Sequence, residues 1–243
     1  MELAGKVALV TGAGHRVGRA LAVALGGRGM RVVVHYRSSG DEARETVRLI
    51  EAAGGEATTL RGDLGVAGEP ARVVEEAAAR FGALDVLVNS AAVMERTPVG
   101  EVTEAAWDAM FAVNLRAPFF AAQAAARVMG ERGGAIVNLA DLAAFETWPA
   151  YVPHGISKAG VVQLTRALAR VLAPHVRVNA IAPGVVMLPD DWDDESGERL
   201  RRTTPLQRHG SPDDVVRALL FLLEADFVTG ETILVDGGRH VRR

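Results

Sequence analysis

The chain has 243 residues, of which 49% are hydrophobic and 23% charged, and this composition excludes a disordered or fibrous protein. Its net charge of −3 does not favour nucleic acid as a partner, and no apolar run reaches the roughly 18 residues that a membrane span needs. Because the chain has no cysteine and its six histidines show no zinc-like spacing, we expect no disulfide, no metal and a cytoplasmic location.

Apolar, β-rich segments alternate with amphipathic helical segments from end to end. The strand candidates are Lys6–Thr11, Arg31–Tyr36, Ala57–Asp63, Leu84–Ala91, Gly134–Ala140, Val176–Pro183 and Thr232–Gly238. Several are apolar on both faces, as in a parallel sheet that helices cover on both sides. The alternation predicts one α/β domain over residues 1–243, a Rossmann-type doubly wound fold with a mostly seven-stranded parallel sheet.

The segment "TGAGHRVGRA" follows the first strand and opens the first helix. Gly12 and Gly14 permit a tight turn there, and Gly18 lets the helix approach the sheet closely. The first amides of the helix then face a pyrophosphate. This context predicts a dinucleotide site rather than an ordinary glycine turn.

The end of the second strand, "HYRSS", discriminates between the two nicotinamide cofactors. An NAD site usually has an acid here for the ribose 2′-hydroxyl, but the first acid is Asp41. Arg37 and Ser38 are suited to a 2′-phosphate instead, and Arg16 adds a second cation. NADP(H) is therefore favoured over NAD(H).

The stretch "YVPHGISKAG" begins at Tyr151 and contains the main catalytic candidates. His154 and Lys158 are four residues apart, so they share one face of a helix. Lys158 is one of only two lysines in an arginine-rich chain, which favours a functional role over that of a surface cation. Pro153 suits a first helical turn, so Tyr151 should lie just outside the helix and line a pocket.

Residues 185–210 interrupt the alternation of strands and helices. The segment is long, charged and irregular, and we expect it to form a substrate lid. Trp192 is a candidate to cover a flat substrate, and the acidic run around it is expected to be a solvated face. The imidazoles of His15, His35 and His209 are expected to be structural or surface groups.

Over essentially its whole length, the sequence resembles the short-chain dehydrogenase/reductases. Thr11, Gly12 and Gly18 match the family's glycine motif, in which Arg16 replaces the middle glycine. Further matches are "NSAA" at 89–92, Asp63–Leu64 beside the adenine, "APG" at 182–184, Asn114 and Lys158. The cofactor contacts predicted from all these features are Gly12, Gly14, His15, Arg16, Val17, Gly18, Tyr36, Arg37, Ser38, Asp63, Leu64, Asn89, Ala91, Lys158, Pro183, Gly184 and Val186.

Within that family the sequence is most similar to the pteridine reductases, including bacterial dihydromonapterin reductases. Shared features are the arginine in the glycine loop, "HYRSS", the ending "FVTGETILVDGGRH", and Asp141 in place of the catalytic serine. Met94 stands where those enzymes stack an aromatic residue on the pterin, and Leu188 stands where they often have a threonine. The predicted substrate contacts are Met94, Asp141, Tyr151, Leu188 and Trp192.

The resemblance implies hydride transfer from the nicotinamide, with a tyrosine as proton donor, a lysine that lowers its pKa and an asparagine that orders a water. Here His154 occupies the tyrosine position, so the predicted catalytic set is Asn114, Asp141, Tyr151, His154 and Lys158. Three possibilities remain for the proton: His154 donates it, Tyr151 donates it, or no dedicated donor exists.

The sequence thus predicts an NADPH-dependent reductase that acts on a C=N or C=O group of a small, possibly pterin-like substrate. The alternatives are a 3-oxoacyl or carbonyl reductase, and an NADP(H)-binding protein of low turnover with a sensor or assembly role. The resemblance also implies a homotetramer.

Overall fold

The computed structural model describes residues 1–188 and 193–241. Its strands are β1 Val7–Val10, β2 Arg31–Tyr36, β3 Glu56–Arg61, β4 Val86–Asn89, β5 Gly134–Leu139, β6 Val176–Pro183 and β7 Thr232–Val235. They form one seven-stranded sheet in the order β3-β2-β1-β4-β5-β6-β7, and every pairing is parallel. The structure thus confirms the predicted Rossmann-type fold.

Helices cover both faces of this sheet. They are α1 Arg16–Gly27, α2 Gly40–Ala52, α3 Glu69–Phe81, α4 Glu104–Phe111, α5 Ala117–Met129, α6 Val152–Leu172, α7 Asp194–Thr203 and α8 Pro212–Glu224. A π-helical turn, Ala112–Arg116, joins α4 to α5. Among the described residues, no helix combines the length and apolarity that crossing a membrane requires.

Strand β1 shows why the sheet is buried on both sides. Its residues alternate in direction, so Ala8 and Val10 pack in the core shared with α1 and α8. Val7 and Leu9 point to the opposite core, which includes residues of α3 and α5. All four are fully buried, as expected for a central parallel strand.

Several strands end earlier than predicted, because polar residues at their carboxyl ends turn into loops. Thr11, predicted as the last residue of β1, lies beyond it, and its hydroxyl oxygen accepts hydrogen bonds from the amides of Ser90 and Ala91, both at 3.0 Å. β7 ends at Val235 rather than Gly238, since Gly237 has a φ of +65° and cannot continue a strand. The two hydrogen bonds that Thr11 accepts hold the loop after β1 against the loop after β4.

The segment predicted as irregular, residues 185–210, contains helix α7. Sequence periodicity missed this helix because the segment lacks an apolar stripe. Its stability comes partly from ion pairs along the helix: Glu198 pairs with Arg201 and Arg202, three and four residues ahead.

Candidate active site

A cavity of about 790 Å³ lies at the carboxyl ends of the strands. The loops after β1, β2, β3, β4, β5 and β6 line it, together with the first turn of α6. This is where ligands bind in open parallel sheets, around the point at which the strand order reverses between β1 and β4. The cavity therefore joins the predicted dinucleotide loop to the predicted catalytic residues.

The glycine loop has the tight backbone approach expected at a dinucleotide. Gly12 has a φ of +65°, and a Cβ there would lie 2.8 Å from the Cα of Ala91. A Cβ on Gly18 would overlap the carbonyl oxygen of Gly12. Arg16 has a φ of 52°, a left-handed conformation that glycine adopts without strain. Because the His15 side chain does not cap α1, the first amides of this helix are available to a pyrophosphate. The loop fits a dinucleotide.

His35 braces this loop from beneath. Its Nδ1 accepts a hydrogen bond from the Gly12 amide at 3.2 Å, and its Nε2 lies 3.1 Å from the carbonyl oxygen of Gly62, to which it donates. Burial lowers the pKa of His35 to about 4, although the Gly62 carbonyl opposes the shift. The ring is therefore neutral near pH 7, and the residue is structural, as predicted, although it also lines the cavity.

The cavity has exposed arginines after β2 and in the glycine loop. Arg37 and Ser38 are exposed at the end of β2, and Arg16 is exposed in the glycine loop, where one guanidinium nitrogen donates to the carbonyl oxygen of Met187, after β6, at 3.5 Å. Asp63 and Leu64 line the wall there with Tyr36. Asp41, the nearest acid after β2, is engaged by Arg44 at the start of α2.

His154 lies in the first turn of α6 with only 2% of its surface exposed. Its Nδ1 is 3.2 Å from the carbonyl oxygen of Val93, which is an acceptor, so Nδ1 carries a proton. Its Nε2 is buried without a hydrogen-bond partner and lies 3.7 Å from Oδ2 of Asp141. His154 therefore lines the cavity and has one buried ring nitrogen that lacks a hydrogen-bond partner and lies beside a carboxylate.

Lys158 lies one helical turn after His154 and also lines the cavity. Its Nζ donates to the carbonyl oxygen of Leu139 at 2.7 Å. Burial lowers its pKa to about 8, and the charge of Asp141 opposes the shift. Near pH 8 the amine of Lys158 therefore exists in both its protonated and its unprotonated form, as a group that relays protons must.

Asn114 lies behind the cavity wall, in the π-helical turn, and is almost completely buried. Its Oδ1 accepts from the Val93 amide at 2.8 Å, and its Nδ2 donates to the Val93 carbonyl at 2.9 Å and to Oγ of Ser157 at 3.1 Å. Asn114 therefore holds the same carbonyl that binds His154, and acts in this structure by positioning Val93.

Asp141 caps a turn with one carboxylate oxygen and faces His154 with the other. Its Oδ1 accepts from the Ala143 amide at 2.8 Å, which caps a short turn after β5. Its Oδ2 remains directed towards His154, and the residue lines the cavity.

Aromatic side chains line the part of the cavity in which the predicted substrate contacts Met94, Asp141 and Tyr151 lie. Tyr151 is the residue immediately before α6, as predicted, and the ring of Trp148 meets it edge-on at 6.2 Å. The indole nitrogen of Trp148 donates to Oε2 of Glu146 at 2.9 Å. Met94 lines the same region and is half exposed.

Three predicted contacts do not appear in the described cavity wall. Asn89 is inside the sheet, where its Nδ2 donates to Oδ1 of Asn138 at 2.9 Å. Leu188 is outside the lining, next to Gly197 of α7. Trp192 lies outside the described residues. Every other predicted cofactor and substrate residue lines the cavity.

Sequence reasoning missed three contributors to the site. Val93 acts through its backbone carbonyl, which no side-chain motif reveals. Trp148 is three residues before Tyr151, a spacing that hinted at a shared surface. Arg239, in the turn after β7, lines the cavity although it is far away in sequence.

A family model described as enoyl-(acyl carrier protein) reductase matches residues 12–240. Among curated proteins, an uncharacterized oxidoreductase of Methylorubrum extorquens is 38% identical over 245 residues, which cover 98% of both chains. The 3-oxoacyl-[acyl-carrier-protein] reductase FabG of Staphylococcus aureus is 34% identical over 242 residues, which cover 97% of this chain and 98% of FabG.

Solved structures agree with this similarity. A protein of Sinorhizobium meliloti 1021 described as a short-chain alcohol dehydrogenase has a TM-score of 0.94 and 40% identity, covering 100% of this chain and 99% of that one. The angucycline C-6 ketoreductase LanV, solved with bound NADP, has a TM-score of 0.92 and 35% identity, with coverage of 99% and 98%. The chain therefore belongs to the short-chain dehydrogenase/reductase family and is an NAD(P)-dependent oxidoreductase.

Proposed function

We propose that this protein is an NADP(H)-dependent reductase of a carbonyl group in a small cyclic substrate, with His154 as the proton donor. The observation that carries the proposal is the unpartnered Nε2 of His154 in the cavity wall, one helical turn from Lys158. The similarity to the NADP-bound ketoreductase LanV and to FabG supports a carbonyl rather than an imine.

Arg16, Arg37 and Ser38 would hold the 2′-phosphate, and Lys158 would reach the nicotinamide ribose. When bound, the nicotinamide supplies a hydride to the carbonyl carbon. The proton for the carbonyl oxygen must then come from the protein.

The hydrogen bond between Nδ1 of His154 and the Val93 carbonyl defines which nitrogen gives that proton. The Val93 carbonyl accepts only, so Nδ1 keeps its proton in both charge states. The imidazolium therefore exchanges its proton at Nε2. Oδ2 of Asp141 lies 3.7 Å from this Nε2. After donation the ring returns to its neutral form with Nε2 bare.

The first prediction concerns this donor. His154→Phe should lower kcat by about 10²–10⁴-fold, the usual contribution of general acid catalysis. Phenylalanine keeps a planar aromatic ring, only moderately larger than the imidazole, so NADP+ binding should persist. Both quantities are measured by NADPH oxidation at saturating substrate and by titration of the cofactor.

Tyr151→Phe is the matched control because Tyr151 lines the same cavity. A loss of turnover in Tyr151→Phe, with His154→Phe still active, would assign the proton to the tyrosine. If both variants turn over like the parent, neither side chain is the donor and the proposed mechanism fails.

The substrate class is tested by one panel of cyclic ketones, quinones, dihydropterins and 3-oxoacyl thioesters. We expect NADPH oxidation with the ketones. Turnover of dihydropterins alone would instead favour the pteridine reductase prediction. Tight NADPH binding with no oxidation by any member would favour the low-turnover binding protein.

We also propose a homotetramer. Phe119 and Phe120 are partly exposed on α5, beside Leu115 and a surface of α6 that includes Gly160 and Leu164. Exposed apolar patches of this kind are typical of protein interfaces. Light scattering coupled to size-exclusion chromatography tests the proposal, and a monomeric mass at micromolar concentration would exclude it.

A further inference from the structure

Arg239 is a buried cation in the wall of the cavity. It lies in the short turn that follows β7, has 8% of its surface exposed and lines the cavity. Its Nε and Nη1 are buried without a hydrogen-bond partner. Its Nη2 lies 3.6 Å from Oε2 of Glu146.

Such an arrangement is costly unless a ligand completes it. Buried guanidinium groups are normally paired and hydrogen-bonded, because removing them from water without partners is strongly unfavourable. At 3.6 Å, Glu146 is beyond hydrogen-bond distance, and the same oxygen accepts from the indole of Trp148 at 2.9 Å. The guanidinium thus retains donors that its neighbours leave unused.

The neighbours of Arg239 place these donors beside the substrate rather than beside the cofactor phosphates. Glu146 contacts both Arg239 and Trp148, and Trp148 contacts Tyr151, which precedes the helix of His154. Gly238, next to Arg239, packs against Pro205, just after α7. Arg37 and Ser38, two of the predicted phosphate contacts, follow β2, which lies on the other side of β1 from β7 in the strand order.

We propose that Arg239 binds a carboxylate of the substrate, so that the protein reduces ketones that carry a carboxylate on a ring. This inference rests on the proposed reductase function and names the substrate class of the same site. A carboxylate accepts charge-assisted hydrogen bonds from the guanidinium, while Trp148 and Tyr151 border the ring.

The test compares 4-acetylbenzoate with its methyl ester, which share the ketone and the ring but differ in charge. The parent enzyme should prefer the acid in kcat/KM by at least about tenfold, as charge-assisted hydrogen bonds in a buried site imply. In Arg239→Gln this acid-to-ester ratio should fall by at least about tenfold. The surface substitution Arg48→Gln, in which an exposed arginine on α2 is neutralised, should keep the parent ratio.

A binding measurement makes the inference independent of turnover. Benzoate is titrated calorimetrically, with benzamide as the neutral control, into protein saturated with NADP+, so that the phosphate contacts are already filled. Benzoate should bind more tightly than benzamide to the parent and lose this advantage in Arg239→Gln. Glu146→Gln keeps an acceptor for Trp148 but removes the competing charge, so it should increase benzoate affinity.

The outcomes separate the two proposals. Arg239-dependent benzoate binding without any ketone reduction would support the carboxylate site and refute the reductase. Equal reduction of acid and ester by the parent, with the ratio unchanged in Arg239→Gln, would refute the carboxylate site and keep the reductase. If Arg239→Gln does not fold, a benzoate affinity that Glu146→Gln leaves unchanged would overturn the inference.

Discussion

At the scale of single residues, the ammonium of Lys158 shows how the site depends on burial. Its pKa falls from an ordinary value of 10.5 to about 8 because the folded chain removes it from water. The folded protein therefore releases this proton at a lower pH than the unfolded chain. Between about pH 8 and 10.5 the unfolded state binds more protons, so the contribution of Lys158 to stability increases with pH in that window.

The pH dependence of this contribution leads to a prediction for Lys158→Met. The variant removes the buried charge, so its free energy of unfolding relative to the parent should be highest near pH 7. The difference should narrow by about 2 kcal/mol between pH 7 and 10, as the parent loses its buried charge. Urea unfolding of the cofactor-free proteins at several pH values measures it. Lys6→Met, which removes the other lysine, is the control. If the stability difference from the parent narrows equally with pH in both variants, the pH dependence does not come from the lowered pKa of Lys158.

Residues differ in how far the sequence alone could reveal them. The glycine loop and the pair His154 and Lys158 are local patterns, so spacing identified each of them, and the family resemblance predicted that they share one site. The contacts between His154 and Val93, and between Arg239 and Glu146, join residues 61 and 93 positions apart. Such contacts depend on how separate elements pack, and no local pattern encodes them.

Among the elements, the π-helical turn between α4 and α5 positions His154, the proposed proton donor. It directs Asn114 at Val93, whose carbonyl also binds Nδ1 of His154. Two distant helices thereby meet at one backbone group. The strand and helix alternation predicted the sheet, but the ten residues of α7 escaped detection because charge pairs, not an apolar stripe, accompany that helix.

Asn114→Ala should therefore impair turnover although Asn114 lies behind the cavity wall. It removes the donor to the Val93 carbonyl and the acceptor for the Val93 amide, so the backbone that orients His154 is loosened. We expect kcat to fall at least about tenfold, equivalent to roughly 1.4 kcal/mol, while stabilisation by NADP+ persists. Steady-state kinetics and thermal unfolding measure both effects.

Asn89→Ala, which removes another buried amide without contacting Val93, is the control. Equal losses of kcat in the two variants would show that any buried amide matters and Asn114 is not special.

At the scale of the whole molecule, the cavity connects the two halves of the sheet. Its wall runs from Arg37 after β2, past the glycine loop, to Pro183 and Val186 after β6 and to Leu200 of α7. A dinucleotide that fills this cavity would contact loops from both halves. Because such a ligand binds only the folded chain, its binding free energy adds to the stability of the entire domain.

The cofactor preference can consequently be measured without any substrate. At about 100 times its Kd, NADP+ should stabilise the protein by roughly 2.7 kcal/mol, which raises Tm by about 5–11 °C for a domain of this size. Arg37→Gln removes a cation proposed to hold the 2′-phosphate, so at the same concentration the shift caused by NADP+ should shrink towards the shift caused by NAD+. NAD+ lacks that phosphate, and its shift therefore serves as the control within each protein. The exposed ion pair of Arg80 with Glu76 on α3 lies away from the cavity wall, so Arg80→Gln should retain the full difference between the two cofactors. If NADP+ and NAD+ raise the Tm of the parent equally, Arg16 and Arg37 do not select the 2′-phosphate, and the predicted preference for NADP(H) is wrong.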